Sequence, residues 1–256
     1  MKKLLLTCLS AAFFLTGCHE AYVQDPYKNY EKFSAAELYT RAKASLDKKK
    51  YDKAVQDFEA LDGLYPFNPY AKQARLDIIA AYHKSGDDDA TIVAADRYLH
   101  LQPRSKEAEY AYYMKGVASF SRGQSWLQKK FNVSAADRDP KRLLQAYQAF
   151  KTVVTAYPNS QYKQDSQERM TYIRSLLAQH ELRVADYYYA REAYVAAANR
   201  AAKVVSQFKQ SGHVADALAM MVKCYRKLHL TDQAELSYAR LQKDYPTSKA
   251  FLALRQ

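Results

Sequence analysis

One spacing recurs five times along this chain and limits the folds open to it. A small residue is followed four later by an aromatic or second small residue, three after that by an apolar one, and five further on by Pro. The copies are Ala54, Phe58, Leu61, Pro66; Thr91, Ala95, Tyr98, Pro103; Ala146, Phe150, Val153, Pro158; Ala197, Ala201, Val204, with Lys209 in place of Pro; and Ala234, Tyr238, Leu241, Pro246. Steps of four and three put these side chains on one helical face. Pro, which lacks an N–H and clashes with the preceding turn, marks the helix end. Each copy reads as the second helix of a pair, with first helices around Leu38 to Leu46, Ala74 to Tyr82, Tyr112 to Phe120, Leu182 to Tyr189 and Ala217 to Tyr225. Ala42, Gly116 and Ala185 stand where one helix must approach another closely. Six Gly and seven Pro in 256 residues supply too few turns for a sandwich or barrel of short strands. The 48% of apolar residues suffices for a core.

The frame resembles the tetratricopeptide repeat, a 34-residue helix pair with small, aromatic and Pro residues at these positions. The resemblance implies an all-α superhelix of about five helix pairs, an α-solenoid, over residues 34–256, with amino-terminal units in 34–158 and carboxy-terminal units in 159–256. The intervals Pro66 to Pro103 and Pro103 to Pro158 exceed that unit, so the second and third are expanded. The excess in the third lies near Ser121 to Pro140, and a further helical stretch, Tyr162 to Ala178, is expected to run into the next first helix. Stacked pairs leave a concave surface, which suits binding more than bond chemistry.

The amino end carries Lys2 and Lys3, an apolar run from Leu4 to Leu15, and then Thr16-Gly17-Cys18. This is the layout of an export signal, and its ending resembles the lipobox of bacterial lipoproteins. Residues 1–17 are then a signal peptide, Cys18 is lipidated, and residues 18–33 form a flexible linker. Several acyl chains hold where one would let go, so the chain is expected to be tethered. His19, rather than Asp, follows the Cys, which by resemblance to lipoprotein sorting favours the outer membrane. The 15 residues from His19 to Phe33 reach roughly 50 Å when fully extended.

The residues also resemble the BamD (ComL) family of outer-membrane assembly lipoproteins. The matching strings are Tyr65-Pro66-Phe67 with Pro69-Tyr70; Leu76-Asp77 with Ala81-Tyr82; Tyr113-Met114-Lys115-Gly116; Asp137-Arg138-Asp139-Pro140; Tyr157 to Tyr162; and Val184-Ala185-Asp186-Tyr187-Tyr188, followed by Arg191, Asn199 and Arg200. The resemblance implies a non-enzymatic, lipid-anchored subunit on the periplasmic face of the outer membrane. Such a subunit scaffolds the periplasmic domain of BamA, meets other Bam lipoproteins, and receives unfolded β-barrel proteins for folding and insertion. It implies no nucleic acid partner, and no cofactor besides the covalent lipid.

Two groups of residues are candidate contacts. Tyr65, Phe67, Tyr70 and Tyr82 form a cluster suited to an extended peptide with aromatic ends, although Tyr at repeat positions also packs between helices. Arg191, Asn199 and Arg200 are candidates for the BamA contact, because a guanidinium holds a carboxylate by two parallel bonds. The bland alternative for Arg200 is a salt bridge to Asp186 or Glu192. Trp126, Lys129, Lys130 and Phe131 in the insertion suit either a partner loop or a cover for the third core, and the cover is favoured. Cys224 reads as a core residue.

Catalysis finds little support. The six His fall in no HExxH pair, there is no G-x-S-x-G elbow, and no metal site is expected. Asp87-Asp88-Asp89 suits a helix start better than a cation. The formal charge of +12 becomes +10 without Lys2 and Lys3. That surplus keeps open an alternative, a lipoprotein that binds an anionic polymer such as peptidoglycan or DNA during competence.

Overall fold

In a computed structural model of the protein, the described residues are 25–121 and 139–255. The expected signal peptide, Cys18 and the insertion residues Trp126, Lys129, Lys130 and Phe131 lie outside them. The described residues hold eleven α-helices and no strand. Five pairs follow in order: α1 (Ala35–Asp47) with α2 (Tyr51–Leu64), α3 (Pro69–Ser85) with α4 (Asp88–Leu101), α5 (Ala108–Ser121) with α6 (Pro140–Ala156), α7 (Lys163–Tyr189) with α8 (Tyr194–Gln207), and α9 (Val214–Lys227) with α10 (Thr231–Asp244). A short α11 (Lys249–Leu254) closes the carboxyl end, where Phe251 is buried against α9 and α10.

The five-fold frame is the core. Ala54, Phe58, Leu61, Thr91, Ala95, Tyr98, Ala146, Phe150, Val153, Ala197, Ala201, Val204 and Leu241 are all buried, and Tyr238 packs half-buried beside Phe251. Gly116 is where a first helix meets a large neighbour. A Cβ there would lie 2.7 Å from the Phe150 ring, so no other residue fits without displacing it.

The second helices end alike whether or not Pro follows. The residues that close them, one past each helix end, Tyr65, Gln102, Tyr157, Phe208 and Tyr245, have φ between −138° and −118° and ψ between 40° and 70°. Each donates its N–H to the carbonyl of the frame's apolar residue, Leu61, Tyr98, Val153, Val204 or Leu241. The carbonyl of that same residue then accepts from Asn68, Ser105, Ser160, Ser211 or Ser248 three positions on. Lys209 therefore costs α8 none of its sharpness, because the Asn/Ser turn closes the end. Four of the first helices, α1, α3, α7 and α9, also share one ending. Lys49, Gly86, Glu192 and His229 have φ near +60° to +80°, and the N–H of the following residue reaches the carbonyl five back, a Schellman closure.

Helix α7 is a single rod of 27 residues that contains the expected extra stretch. Its amino half, through Ile173, Leu176 and Leu177, packs on Phe150; from Ala178 and Leu182 onward it packs toward α8 and α9. One helix thus joins the two halves of the solenoid.

The linker expected to run to residue 33 is shorter. Tyr27 lies with its ring 2.5 Å from where a Gly63 Cβ would sit, and residues Lys28–Tyr30 form a 3-10 turn. Phe33 is covered by the Arg41 guanidinium at 4.1 Å, and its carbonyl accepts from the Tyr65 hydroxyl at 2.8 Å. Aromatic burial against the first core holds this stretch down, so it caps the solenoid.

Candidate functional site

Successive first helices approach one another, α1 with α3, α3 with α5, and α7 with α9, and the second helices show no comparable approach among the described residues. The first helices therefore form the inner side of the stack. The inner floor of the amino-terminal half is tyrosine. The Tyr39 and Tyr70 rings lie 5.2 Å apart, and Tyr113 stacks on Tyr162 at 4.4 Å with Tyr110 at 6.0 Å from the same ring. Two of the hydroxyls are fixed by carboxylates across helices: Tyr39 donates to Asp77 and Tyr113 to Asp165, each at 2.9 Å. Burial first, and then Asp77, pushes Tyr39 up to about 12, and burial does the same to Tyr110 beside Tyr162. These phenols therefore stay protonated donors at any physiological pH. Between the tyrosine groups lies a cavity lined by Gln73, Asp77, Glu109, Tyr110, Gln161 and Tyr162.

The four aromatics read from the sequence do not share one pocket. Tyr70 and Tyr82 both belong to α3, twelve positions apart, which separates them by about 18 Å along the helix. Tyr70 sits at the amino end, placed by Pro69 at N1 and by Asn68, whose side chain accepts its N–H; it is 42% exposed against Tyr39. Tyr65 is half-buried and bound to Phe33. Tyr82 faces a separate cavity between α2 and α4, with Glu59, Ile78, Val93 and Arg97, and its hydroxyl reaches Glu59 at 3.3 Å. Phe67 touches neither cavity and is fully exposed.

Reading the sequence missed the buried acids and most of the tyrosine floor. Asp62, in α2, is held by Arg75 at 2.6 Å and Arg97 at 2.7 Å. Asp57 is held by Arg41 at 3.2 Å. A signal for Asp57 was available, since it stands three after Ala54 and four before Leu61 on the face that the frame buries.

At the carboxyl half, Arg200 pairs with neither Asp186 nor Glu192. Its partner is the buried Glu181 of α7 at 3.1 Å, which Lys203 also holds at 2.5 Å. Burial pushes the Glu181 carboxyl up, but the Lys203 and Arg200 hydrogen bonds outweigh it and hold the group below its usual range. About two fifths of the Arg200 side chain stays exposed. Arg191, in the turn between α7 and α8, lies over the Tyr187 ring at 3.6 Å, and Val195 and Asn199, four apart on α8, are exposed. Tyr187 with Arg191 at the turn, and Val195 with Asn199 on α8, are therefore the open side chains of this corner, with Arg200 next to Asn199 in sequence.

Cys224 is buried with Ala197 and Ala198, and burial pushes its thiol up to about 11. Asp87 caps α4 through the Ala90 N–H. Among the described residues one Ser–His–Asp contact exists: His213 Nε2 lies 3.0 Å from Ser175 Oγ, and its Nδ1 lies 3.6 Å from Asp216. Gln179 Nε2, 3.1 Å away, donates to the same ring nitrogen. The group lines neither cavity above and serves to tie α7 to the turn before α9.

A family model described as YfiO, outer membrane lipoprotein, matches residues 31–241. A Neisseria meningitidis serogroup B protein named outer membrane protein assembly factor BamD is 35% identical over 249 residues, 97% of this chain and 93% of the relative. The factor of that name from Vibrio cholerae is 31% identical, covering 94% of this chain and 98% of the relative. That from Xylella fastidiosa is 34% identical, covering 94% and 82%. Among solved structures, a Podospora kinesin light chain with TPR-like repeats aligns over 87% of this chain and 98% of its own, at 10% identity and a TM-score of 0.41. So low a score carries no argument, and the repeat architecture rests on the helix pairing above. The chain belongs to the YfiO family of outer membrane lipoproteins, in which the BamD assembly factors stand.

Proposed function

We propose that this chain is a non-catalytic subunit of outer membrane protein assembly, tethered through a lipid on Cys18 to the periplasmic face and holding two partners on separate halves. The observation that carries the reading is the tyrosine floor of the amino-terminal inner face. Its rings offer area to the aromatic side chains of an extended chain. Hydroxyls already tied to Asp77 and Asp165 lower the entropy that binding must still remove. An unfolded β-barrel protein has that chemistry. The family relationship supports the same role, because the relatives carry the name of outer membrane protein assembly factors.

The second partner is BamA, through its periplasmic domain. Its proposed seat is the corner of Arg191, Val195 and Asn199 with Arg200 at the edge. There a stacked guanidinium and an exposed Val combine an apolar centre with a carboxylate-seeking rim. Glu181 fixes the angle of Arg200, so this residue positions the seat and also contributes to it. Other Bam lipoproteins would then attach to surfaces left free by these two.

Photoreactive residues placed at Tyr70 and at Asn199 in living cells test the assignment. Unfolded barrel protein is expected to be captured at the first position and BamA at the second. Absence of a crosslink at both, or BamA at Tyr70 alone, would reject it.

A further inference from the structure

The turn after each second helix has the same backbone in all five units, so that backbone does not depend on which side chain follows the Pro position; in the fourth unit the side chain there, Gln210, accepts from Arg174 at 2.6 Å. Four units use polar residues, Arg104, Asn159, Gln210 and Thr247, and the first alone uses an aromatic, Phe67. That ring is fully exposed, next to exposed Pro66 and Pro69 and the partly open Tyr70. What sets this site apart is that the ring is contiguous with two exposed Pro residues, so it is part of an apolar patch that adds nothing to the core.

The chain leading into α1 docks beside this turn, with Tyr27 on Gly63 and the Phe33 carbonyl on Tyr65. Only the seven steps from Cys18 to Asp25 then separate the expected lipid from the docked stretch, a reach of roughly 25 Å at full extension. That is about half of what the sequence allowed. The docked stretch itself carries Tyr27, Lys28, Tyr30 and Lys32, and aromatic and lysine side chains of this kind suit the boundary between lipid and water.

We infer that Phe67 and its turn rest on the phospholipid bilayer, Phe67 entering the headgroup region as a second, apolar point of attachment. The inference rests on the acyl tether proposed above. Asp25 and Glu31 offset Lys28 and Lys32, so insertion of the ring, more than charge, would drive the contact. The lipid chains supply proximity, and Phe67 fixes which edge of the solenoid faces the membrane. The inner tyrosine floor is then held at a constant height above the bilayer.

The test uses the full acylated chain in vesicles of phosphatidylethanolamine and phosphatidylglycerol, with or without bromine on the acyl chains. Phe67→Trp is compared with Thr247→Trp, which occupies the same turn in the last unit, and with the parent chain, whose single Trp126 gives the baseline. Brominated lipid is expected to reduce the emission added by Phe67→Trp about twofold or more, at low and at high salt, and to leave that of Thr247→Trp unchanged. If the protein floats with the vesicles but the Phe67→Trp emission is not quenched, the inference is overturned while the tether stands, and the ring is left for a protein partner. If the parent chain fails to float, the tether and this inference fall together.

Discussion

In the amino-terminal units three nearly buried aspartates, Asp57, Asp62 and Asp77, lie between helices and answer to Arg41, to Arg75 with Arg97, and to Tyr39 with Lys43. In the carboxy-terminal units Glu181 is the one buried acid among the described residues, and the buried contact between helices is made mainly by Ala197, Ala198, Ala201, Val204, Val214, Ala217 and their neighbours. The same frame is thus filled in two ways. Where polar groups set the helix angles, directional bonds fix the surface that ligands meet; where small residues set them, close approach fixes it. The tyrosine floor lies in the first region and reaches its border with the second at Tyr162 and Asp165, and the Arg191 corner lies in the second.

Exchanging what fills the second frame position should break the comparison most severely. Phe58 and Ala201 are equivalent and both fully buried. Phe58→Ala should cost about 3–5 kcal/mol through the cavity it leaves. Ala201→Phe should cost about 1–3 kcal/mol through overpacking. Urea unfolding gives the sizes, and hydrogen exchange should place each loss in its own half, since repeats are stabilised mainly by their neighbours. A loss spread evenly over both halves would mean that α7 couples them more tightly than the packing suggests.

A smaller effect separates the two kinds of buried acid. Burial pushes Asp57 up, and the charges of Arg41 and Lys53 do not reverse it. Its second oxygen has no hydrogen-bond partner among the described residues. A carboxyl raised in this way supports the fold while protonated, so its contribution fades as pH rises from the ordinary 3.8 through the folded value. Glu181 has the opposite sign. Held below 4.5 by two cations, it contributes above that pH and loses the contribution as pH falls through its folded value. At neutral pH, Glu181→Gln should destabilise by about 1–3 kcal/mol, while Asp57→Asn should lie within about 1 kcal/mol of the parent, on either side. The Glu181→Gln deficit should shrink in acid as the parent residue also loses its charge.

The least effect concerns the turns. Phe208 already has the backbone that precedes Pro in the other four units. Lys209→Pro should therefore stabilise by about 0.4–1 kcal/mol by removing freedom from the unfolded chain. A destabilisation of similar size would show that the Lys209 N–H has a role the turn does not reveal.

The repeat was legible because Pro and a 4–3 spacing are local signals, and Ala54, Phe58 and Leu61 obey them without help from the rest of the chain. The continuity of α7 was legible for the same reason. Tyr110, Tyr113 and Tyr162 were not recognised as a site, because they come from two units and meet only through the superhelical stack. Arg200 was singled out, but its partner Glu181 lies nineteen residues upstream on another helix, beyond the reach of local periodicity. The docking of Tyr27 on Gly63 was invisible because the shape of a gap decides it, and sequence pattern does not record gaps.

Hydrogen exchange on the full mature chain, alone, with an unfolded barrel polypeptide, and with the periplasmic domain of BamA, tests the claim of two separate seats most directly. The barrel polypeptide should protect α1, α3 and α5, and BamA should protect the end of α7 and α8. Protection of the same helices by both ligands, or of none by either, would contradict it.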